Sequence, residues 1–360
     1  PEALAPLDPL VHWVLHGVRE ALQRAGLTTP QPDDAGSVGL VLGNLAYPTF
    51  GQVAYAEATW LDRQWEWGGP ALPHPADGAV DPRNRFSSGL PAHLAVQALN
   101  LRGEAFALDA ACASSLYAIK LACDRLQDRR ADVMVAGAVN RTDDLFIHIG
   151  FCALQAMSKQ GWSRPFSADA DGLVPAEGAA FVVLKRLDDA VVAGDDILGV
   201  IRGVGLSNDG TDGGFLSPSE AGQVRAMRAA YAQAGLAPEE ISLLECHATG
   251  TPVGDATEIR SAAQLFAGAD DLPIGSLKSN LGHLITVAGA AGLIKVLAAM
   301  RHGVRPPMRP VATPIGALAE TPFRILQAAE AWPSDGATPR RAAVSAFGFG
   351  GNNAHLVVEE

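Results

Sequence analysis

Four stretches of this 360-residue chain carry side chains able to do covalent chemistry. In the first, Asp109-Ala110-Ala111-Cys112-Ala113-Ser114-Ser115, a thiol sits where a strand-like run turns into a helical pattern. Small neighbours let a substrate approach, and a helix N-terminus lends partial positive charge that favours thiolate. A buried structural cysteine is the rival reading, and composition leaves the two level. Cys123, Cys152 and Cys246 read as core residues. The second stretch, Glu245-Cys246-His247-Ala248-Thr249-Gly250-Thr251-Pro252, sets His247 at the end of an apolar strand. Ligands of α/β sheets bind outside such ends, although one histidine alone is more often structural. The third, Lys278-Ser279-Asn280-Leu281-Gly282-His283, has a strand deliver a second histidine before an Ala/Gly-rich helix. Glycines there imply close packing or close approach of backbone to a ligand. The fourth, Phe347-Gly348-Phe349-Gly350-Gly351-Asn352-Asn353, is a turn between strands that offers N–H groups to an oxyanion, unless it is a plain hairpin. It lacks the ending of a phosphate loop. His12 and His16 lie one helical turn apart with no acidic or thiol companions, so they read as a solvated pair and no metal site is expected. His355 reads as packed on a strand.

The elements that must position these groups follow from apolar periodicity. Leu10, Trp13, Val14, Gly17, Val18, Ala21 and Leu22 predict an amphipathic helix over 8–25. Strands are predicted at 37–43, 105–108, 133–137, 181–184, 197–204, 241–246, near Ile274, and at 323–327, 341–347 and 354–358. Helices are predicted after Cys112 and over 219–235, 255–266 and 285–301. Asp188-Asp189 reads as a turn, and Trp60 to Arg85 as a loop or lid rich in Pro, Gly and Asp. Strands alternating with helices make a layered α/β fold with mostly parallel sheets.

Apolar residues make up 48% of the chain, enough for a large core, and the formal net charge of −12 argues against nucleic acid or an anionic membrane as main partner. Four irregularly spaced cysteines make no disulfide framework and point to a reducing, cytoplasmic compartment. No apolar run of membrane-spanning length and no signal peptide is read, and Pro1 in place of Met suggests a piece of a longer polypeptide.

Together the four stretches resemble the β-ketoacyl synthase family, the condensing enzymes of fatty-acid and polyketide synthesis. Its Cys-centred turn, His-x-Thr-Gly-Thr loop, Lys-Ser-Asn-x-Gly-His segment and Gly-Phe-Gly-Gly-x-Asn loop appear in order at Cys112, His247–Thr251, Lys278–His283 and Gly348–Asn353. Arg164-Pro165-Phe166 and Gly172 to Gly178 look like the family too. The match is most like ketosynthase domains of bacterial polyunsaturated fatty acid synthases and iterative polyketide synthases. Ala110, Ala113 and Ala248 replace the Thr, Ser and Gly of typical polyketide domains, small residue for small residue.

The resemblance implies a thiolase-like five-layer α-β-α-β-α fold in two pseudo-symmetric halves, 1–190 with the cysteine and 191–360 with both histidines, and a homodimer. The family opens with an apolar strand ahead of the helix at 8–25. This chain as numbered lacks it, and we expect that strand to belong inside the first sheet. The implied chemistry is decarboxylative condensation. Cys112 is acylated from a phosphopantetheine thiol, and His247 and His283 stabilise the enolate left by a malonyl thioester on an acyl carrier protein. The N–H groups of Cys112 and Phe349 form the oxyanion hole, and Lys278 tunes the histidines. Thr249, Thr251, Phe349 and Asn353 contact the pantetheine arm, with no permanently bound cofactor. Arg83 and Arg85 form a basic loop that could meet the carrier, though such arginines are usually just solvated. Competing expectations are a non-condensing decarboxylase or chain-length partner, and a structural docking domain of a multidomain synthase.

Overall fold

A computed structural model describes residues 4–32, 36–61, 80–86, 88–141, 145–211, 216–334 and 338–360. Its strands, in chain order, are β1 (Val38–Gly43), β2 (Ala105–Leu108), β3 (Val133–Asn140), β4 (Gly178–Leu184), β5 (Val200–Asn208), β6 (Leu244–Glu245), β7 (Leu272–Gly275), β8 (Val304–Arg305), β9 (Phe323–Ile325), β10 (Glu330–Ala331), β11 (Arg341–Gly348) and β12 (Asn352–Glu359). The helices are α1 (Pro9–Arg24), α2 (Phe50–Ala56), α3 (Leu90–Leu99), α4 (Ser114–Gln127), α5 (Leu145–Ala153), α6 (Leu187–Ala193), α7 (Glu220–Ala234), α8 (Pro252–Leu265), α9 (Lys278–Leu281) and α10 (Ala288–His302).

The first sheet runs β2-β1-β3-β4, the first three strands parallel and β4 antiparallel. Every residue of β1 and β3 is buried, so helices must cover both faces. Alternation along β1 decides which. Leu40 and Leu42 pack on Val14, Val18 and Leu22 of α1 and Ala95 of α3, while Val41 faces Leu116 and Ile119 of α4. The second sheet runs β5-β12-β11-β6-β7-β9. α7 and α8 cover its outer face through Met227, Ala230, Ile259 and Ala262. Leu293 and Val296 of α10 share one core with α4 and with Val344 and Leu356 of the second sheet. The layers are therefore α1/α3, first sheet, α4/α10, second sheet, α7/α8, which is the expected five-layer order. Where α4 meets α10, a Cβ on Gly289 would lie 2.6 Å from the Leu116 side chain, and the Ala290 N–H donates to Ser115 Oγ at 3.0 Å.

Several boundaries move. Asp188 and Asp189 occupy the first turn of α6, where carboxylates favour a helix over the turn expected. Of the strand expected at 241–246, only Leu244 and Glu245 pair, because β7 and β11 each meet just those two. Cys152 is exposed on α5 and is not a core residue, whereas Cys246 is buried. Most of the expected lid, 62–79, lies outside the described residues; Pro82–Arg85 forms one 3₁₀ turn. The first sheet has no internal gap, since β1 pairs along its length with β3. The order β7-β6-β11-β12 repeats β2-β1-β3-β4, so β5, outside β12, and β9, outside β7, are the strands without counterparts. The unmatched places in the first half are thus its two edges, beside β4 and beside β2. Among the described residues, one stretch, Ile285–His302, is long and apolar enough to cross a bilayer; it includes α10 and is mostly buried.

Candidate active site

Cys112 follows β2 through a turn that its neighbours hold shut. The Asp109 carboxylate accepts the N–H groups of Ala111 and Ala46, each at 2.9 Å. Ala111 adopts a φ of 49°, a left-handed conformation that costs a non-glycine residue about 1–2 kcal/mol. Ser114 offsets that cost: its Oγ accepts the Ala110 N–H at 2.9 Å and donates to the Ala111 carbonyl at 2.7 Å. Cys112 itself lies in the 3₁₀ turn leading into α4.

The second half supplies the imidazoles and the hairpin that face the sulfur. His283 Nε2 lies 3.0 Å from Cys112 Sγ. The His247 ring stands edge-on to the His283 ring, with centroids 5.4 Å apart. The Phe349 N–H, at the tip of the β11–β12 hairpin, donates to the sulfur, as does the N–H of Cys112 itself. The hairpin reaches the turn because residue 348 is glycine; a Cβ there would sit 2.6 Å from the Ala110 carbonyl oxygen. Burial pushes the thiol up to about 12, against the pull of the Lys278 charge and these two N–H groups. Burial and Lys278 hold both imidazoles well below the usual histidine range. The resting trio is therefore a thiol and two neutral rings.

His283 reaches this position by a route other than the one expected. The short helix α9 intervenes after β7, and His283 then pairs as a bridge with Pro175, donating its N–H to the Val174 carbonyl at 2.7 Å. Lys278 is buried beside the charges of Glu245 and Glu258, its own pKa lowered by desolvation. Thr249 Oγ1 lies 3.0 Å from Thr251 Oγ1 at the less buried end of the loop. Asn353 departs from expectation. Its buried amide nitrogen donates to Asp209 Oδ1 at 2.6 Å and to the Gly351 carbonyl at 3.0 Å, so the side chain braces the hairpin and is not presented to a substrate.

Three groups escaped sequence reasoning. Glu258 accepts the N–H groups of His247 and Ala248, one on each carboxylate oxygen, both at 2.7 Å. Burial drives this carboxyl up to about 8, yet two facing donors call for the anion, and Lys278 favours it. Asp255, raised by burial to about 6, accepts N–H groups from Thr249, Gly250 and Phe166. The signal was a pair of carboxylates three residues apart, opening a helix directly after the loop. The third group is apolar: Leu45, Ile147, Phe151 and Ile285 pack with Cys112, and Leu45 and Ile147 also line a cavity of about 20 Å³.

Ligand atoms of Cys112, His247 and His283 lie within 4.8 Å of one another, a separation that a small cation could bridge. The surroundings do not fit one. A metal-bound histidine hands its other N–H to an acceptor, and Nδ1 of both rings is buried without a partner. The neighbouring Lys278 charge opposes a cation as well.

Comparison with known proteins agrees with this arrangement. Residues 1–190 match the β-ketoacyl synthase N-terminal domain and residues 198–312 the C-terminal domain. A phenolphthiocerol/phthiocerol polyketide synthase polypeptide of Mycobacterium tuberculosis is 37% identical over 366 residues, covering 100% of this chain and 18% of that protein. A polyunsaturated fatty acid synthase polypeptide of Thraustochytrium sp. is 44% identical over 277 residues, 75% of this chain and 13% of that one. The chain thus spans under a fifth of these relatives. Among solved structures, the ketosynthase from module 6 of the bacillaene synthase of Bacillus subtilis 168 superposes with a TM-score of 0.86 at 31% identity, over 100% of this chain and 60% of that one. The PfaC keto synthase-chain length factor gives 0.86 at 38%, over 100% and 39%. With both domains matched in order around one thiol and two imidazoles, the chain belongs to the β-ketoacyl synthase family, in the thiolase-like fold.

Proposed function

We propose that this chain is the condensing ketosynthase part of a larger synthase making polyketide or polyunsaturated fatty-acyl chains. The observation that carries the reading is the 3.0 Å approach of His283 Nε2 to Cys112 Sγ, with the Phe349 N–H on the same sulfur. The Cys112 sulfur attacks the carbonyl carbon of an acyl thioester. A carbon–sulfur bond forms, the bond to the pantetheine sulfur breaks, and the thiol proton leaves with that sulfur by way of His283. A malonyl thioester follows. His247 and His283, both neutral, donate hydrogen bonds to its thioester carbonyl, so that loss of CO₂ leaves a stabilised enolate. Its carbon attacks the Cys112 thioester, a carbon–carbon bond forms, and the sulfur departs and regains a proton.

Lys278 acts on both rings through its charge, and Glu258 fixes the loop that carries His247. Thr249 and Thr251 meet the phosphopantetheine arm of an acyl carrier protein, and Phe349, its ring 6.1 Å from Phe151, gates the way to the sulfur. Leu45, Ile147 and Ile285 give the acyl tail an apolar bed. The two sheets, β1–β4 before about residue 190 and β5 onward after it, support a division there, and the cytoplasm is the compartment that suits free thiols. The open edge of β2 suits a homodimer, which light scattering would test. The presence of Cys112 among its partners favours condensation over the non-condensing and docking readings.

The test is intact-protein mass spectrometry after incubation with an acetyl thioester. One acetyl group should appear on the parent chain and none on Cys112→Ala, which keeps the fold; acetylation of the variant refutes the reading.

A further inference from the structure

Leu244 of β6 packs in the core beneath α7 and α8, so the next residue, Glu245, points to the opposite face of the sheet, toward α10. Its side chain is only 3% exposed there, and both oxygens are occupied. Oε1 accepts the Leu277 N–H and Oε2 accepts Lys295 Nζ of α10, each at 2.6 Å. Two glycines make room for the pair. A Cβ on Gly292 would lie 3.0 Å from Glu245 Cγ, and one on Gly275 would lie 3.3 Å from Lys295 Nζ. A buried ion pair adds little net stability, because desolvation of the two ions offsets their attraction, and an apolar pair of similar volume often serves as well. Its place points to another use. Glu245 stands two residues before His247, and the N–H it holds belongs to the residue before Lys278.

Lys278 is the cation whose charge reaches the sulfur and the rings. Burial raises the Cys112 thiol and the Lys278 charge pulls it back, while burial and the same charge keep both imidazoles neutral. Glu245 from β6 and Glu258 from α8 act most strongly on the buried ammonium among its charged neighbours. Asp255, Cys112, Cys246, His247 and His283 are the other titratable groups coupled to it. A carboxylate paired directly with Lys278 would screen its charge from the sulfur. Among the described residues none lies within ion-pair distance of it. Glu258 is occupied by the N–H groups of His247 and Ala248, and Glu245 by Leu277 and Lys295.

We propose that Lys295 is a positioning residue for condensation: it holds the Glu245 carboxylate away from Lys278 and so directs the Lys278 charge at the Cys112 sulfur and the two imidazoles. This rests on the ketosynthase reading and adds to it a residue that acts only through Glu245 and Lys278. Without Lys295, one Glu245 oxygen is left buried with no donor, and the cation whose charge already reaches it is Lys278. The carboxylate then turns to Lys278, and the field at the sulfur weakens.

The test compares the parent chain with Lys295→Met and with the double variant Glu245→Gln/Lys295→Met, whose glutamine keeps an oxygen for the Leu277 N–H and carries no charge. Acetylation of Cys112 by the acetyl thioester of pantetheine is timed by mass spectrometry across a range of pH, on chains shown to be folded by circular dichroism. We expect Lys295→Met to react about tenfold or more slowly than the parent, with a deficit that widens as pH rises and Glu245 ionises. The double variant should return to within about threefold of the parent at every pH, since no carboxylate remains to capture Lys278. Equal slowing of both variants would make the pair a structural brace and overturn the proposal. So would a single variant at the parent rate, or a deficit that does not grow with pH. Where Lys295→Met does not fold, Glu245→Gln alone decides: the parent rate is expected, and a tenfold loss overturns the proposal. If the parent chain takes no acetyl group on Cys112, the ketosynthase reading itself fails and this inference falls with it.

Discussion

Gly348→Ala tests the hairpin's part in the chemistry. Its backbone is not in the left-handed region, so alanine is free of conformational strain and only space is at issue. A methyl group would lie 2.6 Å from the Ala110 carbonyl oxygen and 3.1 Å from the Cys112 nitrogen. Carbon and oxygen settle at about 3.3 Å or more, so the hairpin must retreat by about 0.7 Å. The Phe349 N–H, one residue along, goes with it and leaves the sulfur. Losing one donor of an oxyanion site typically slows reaction by about 10²–10³, or about 2.7–4 kcal/mol. Overpacking at such a contact costs about 1–3 kcal/mol of stability, which a chain this size survives. Timed mass spectrometry of Cys112 acetylation should show that slowing, with Gly316→Ala, where a Cβ meets nothing within 4 Å, as the unaffected control. A folded Gly348→Ala chain acetylated within threefold of the parent rate would refute the role assigned to the Phe349 N–H.

His355, buried at the end of a 3.0 Å contact with Ser345 Oγ, has its pKa depressed to about 3. A depressed folded-state pKa gives stability that is present above the unfolded value near 6.5 and lost as pH falls toward 3. Urea unfolding across that window should therefore be flatter for His355→Gln by about 1.4 kcal/mol per pH unit; parallel slopes would count against a buried neutral ring. Glu258→Gln turns an NH₂ group on the N–H of His247 or Ala248, and should lower the urea midpoint by the equivalent of about 1–3 kcal/mol, with an unchanged midpoint contradicting it. A maleimide should label Cys152 in the native chain well before Cys246, which reacts only on unfolding; equal labelling in the folded state would speak against the burial described.

The sequence made the layers readable because buried strands announce themselves. Val38 to Gly43 is apolar and bounded by glycine, and the amphipathic stripe of α1 needs only one face. The chemical trio was readable for a different reason, since Cys112 and His247 each follow a short strand at a turn built of small residues, and His283 closes a Lys-Ser-Asn-x-Gly-His segment whose route, through α9, only the fold shows. Reading failed where the deciding partner was distant in the chain. Nothing local to Asp209 says that Asn353, 144 positions away, will bond to it, so Asn353 looked like a substrate contact. Nothing local to Cys152 shows that its helix turns that face outward. Glu258 and Asp255 sit in a helical pattern like any other carboxylates, and only the fold shows them turned back on the loop.

The sulfur comes from the first half of the polypeptide, while the two rings and the hairpin N–H come from the second. A nascent or partly unfolded copy therefore carries at 112 an ordinary exposed thiol, without the rings and the hairpin N–H that face it in the finished fold. Whatever that thiol does before the second half arrives is the chemistry of any free cysteine, and the arrangement around it is complete only when both halves have folded together.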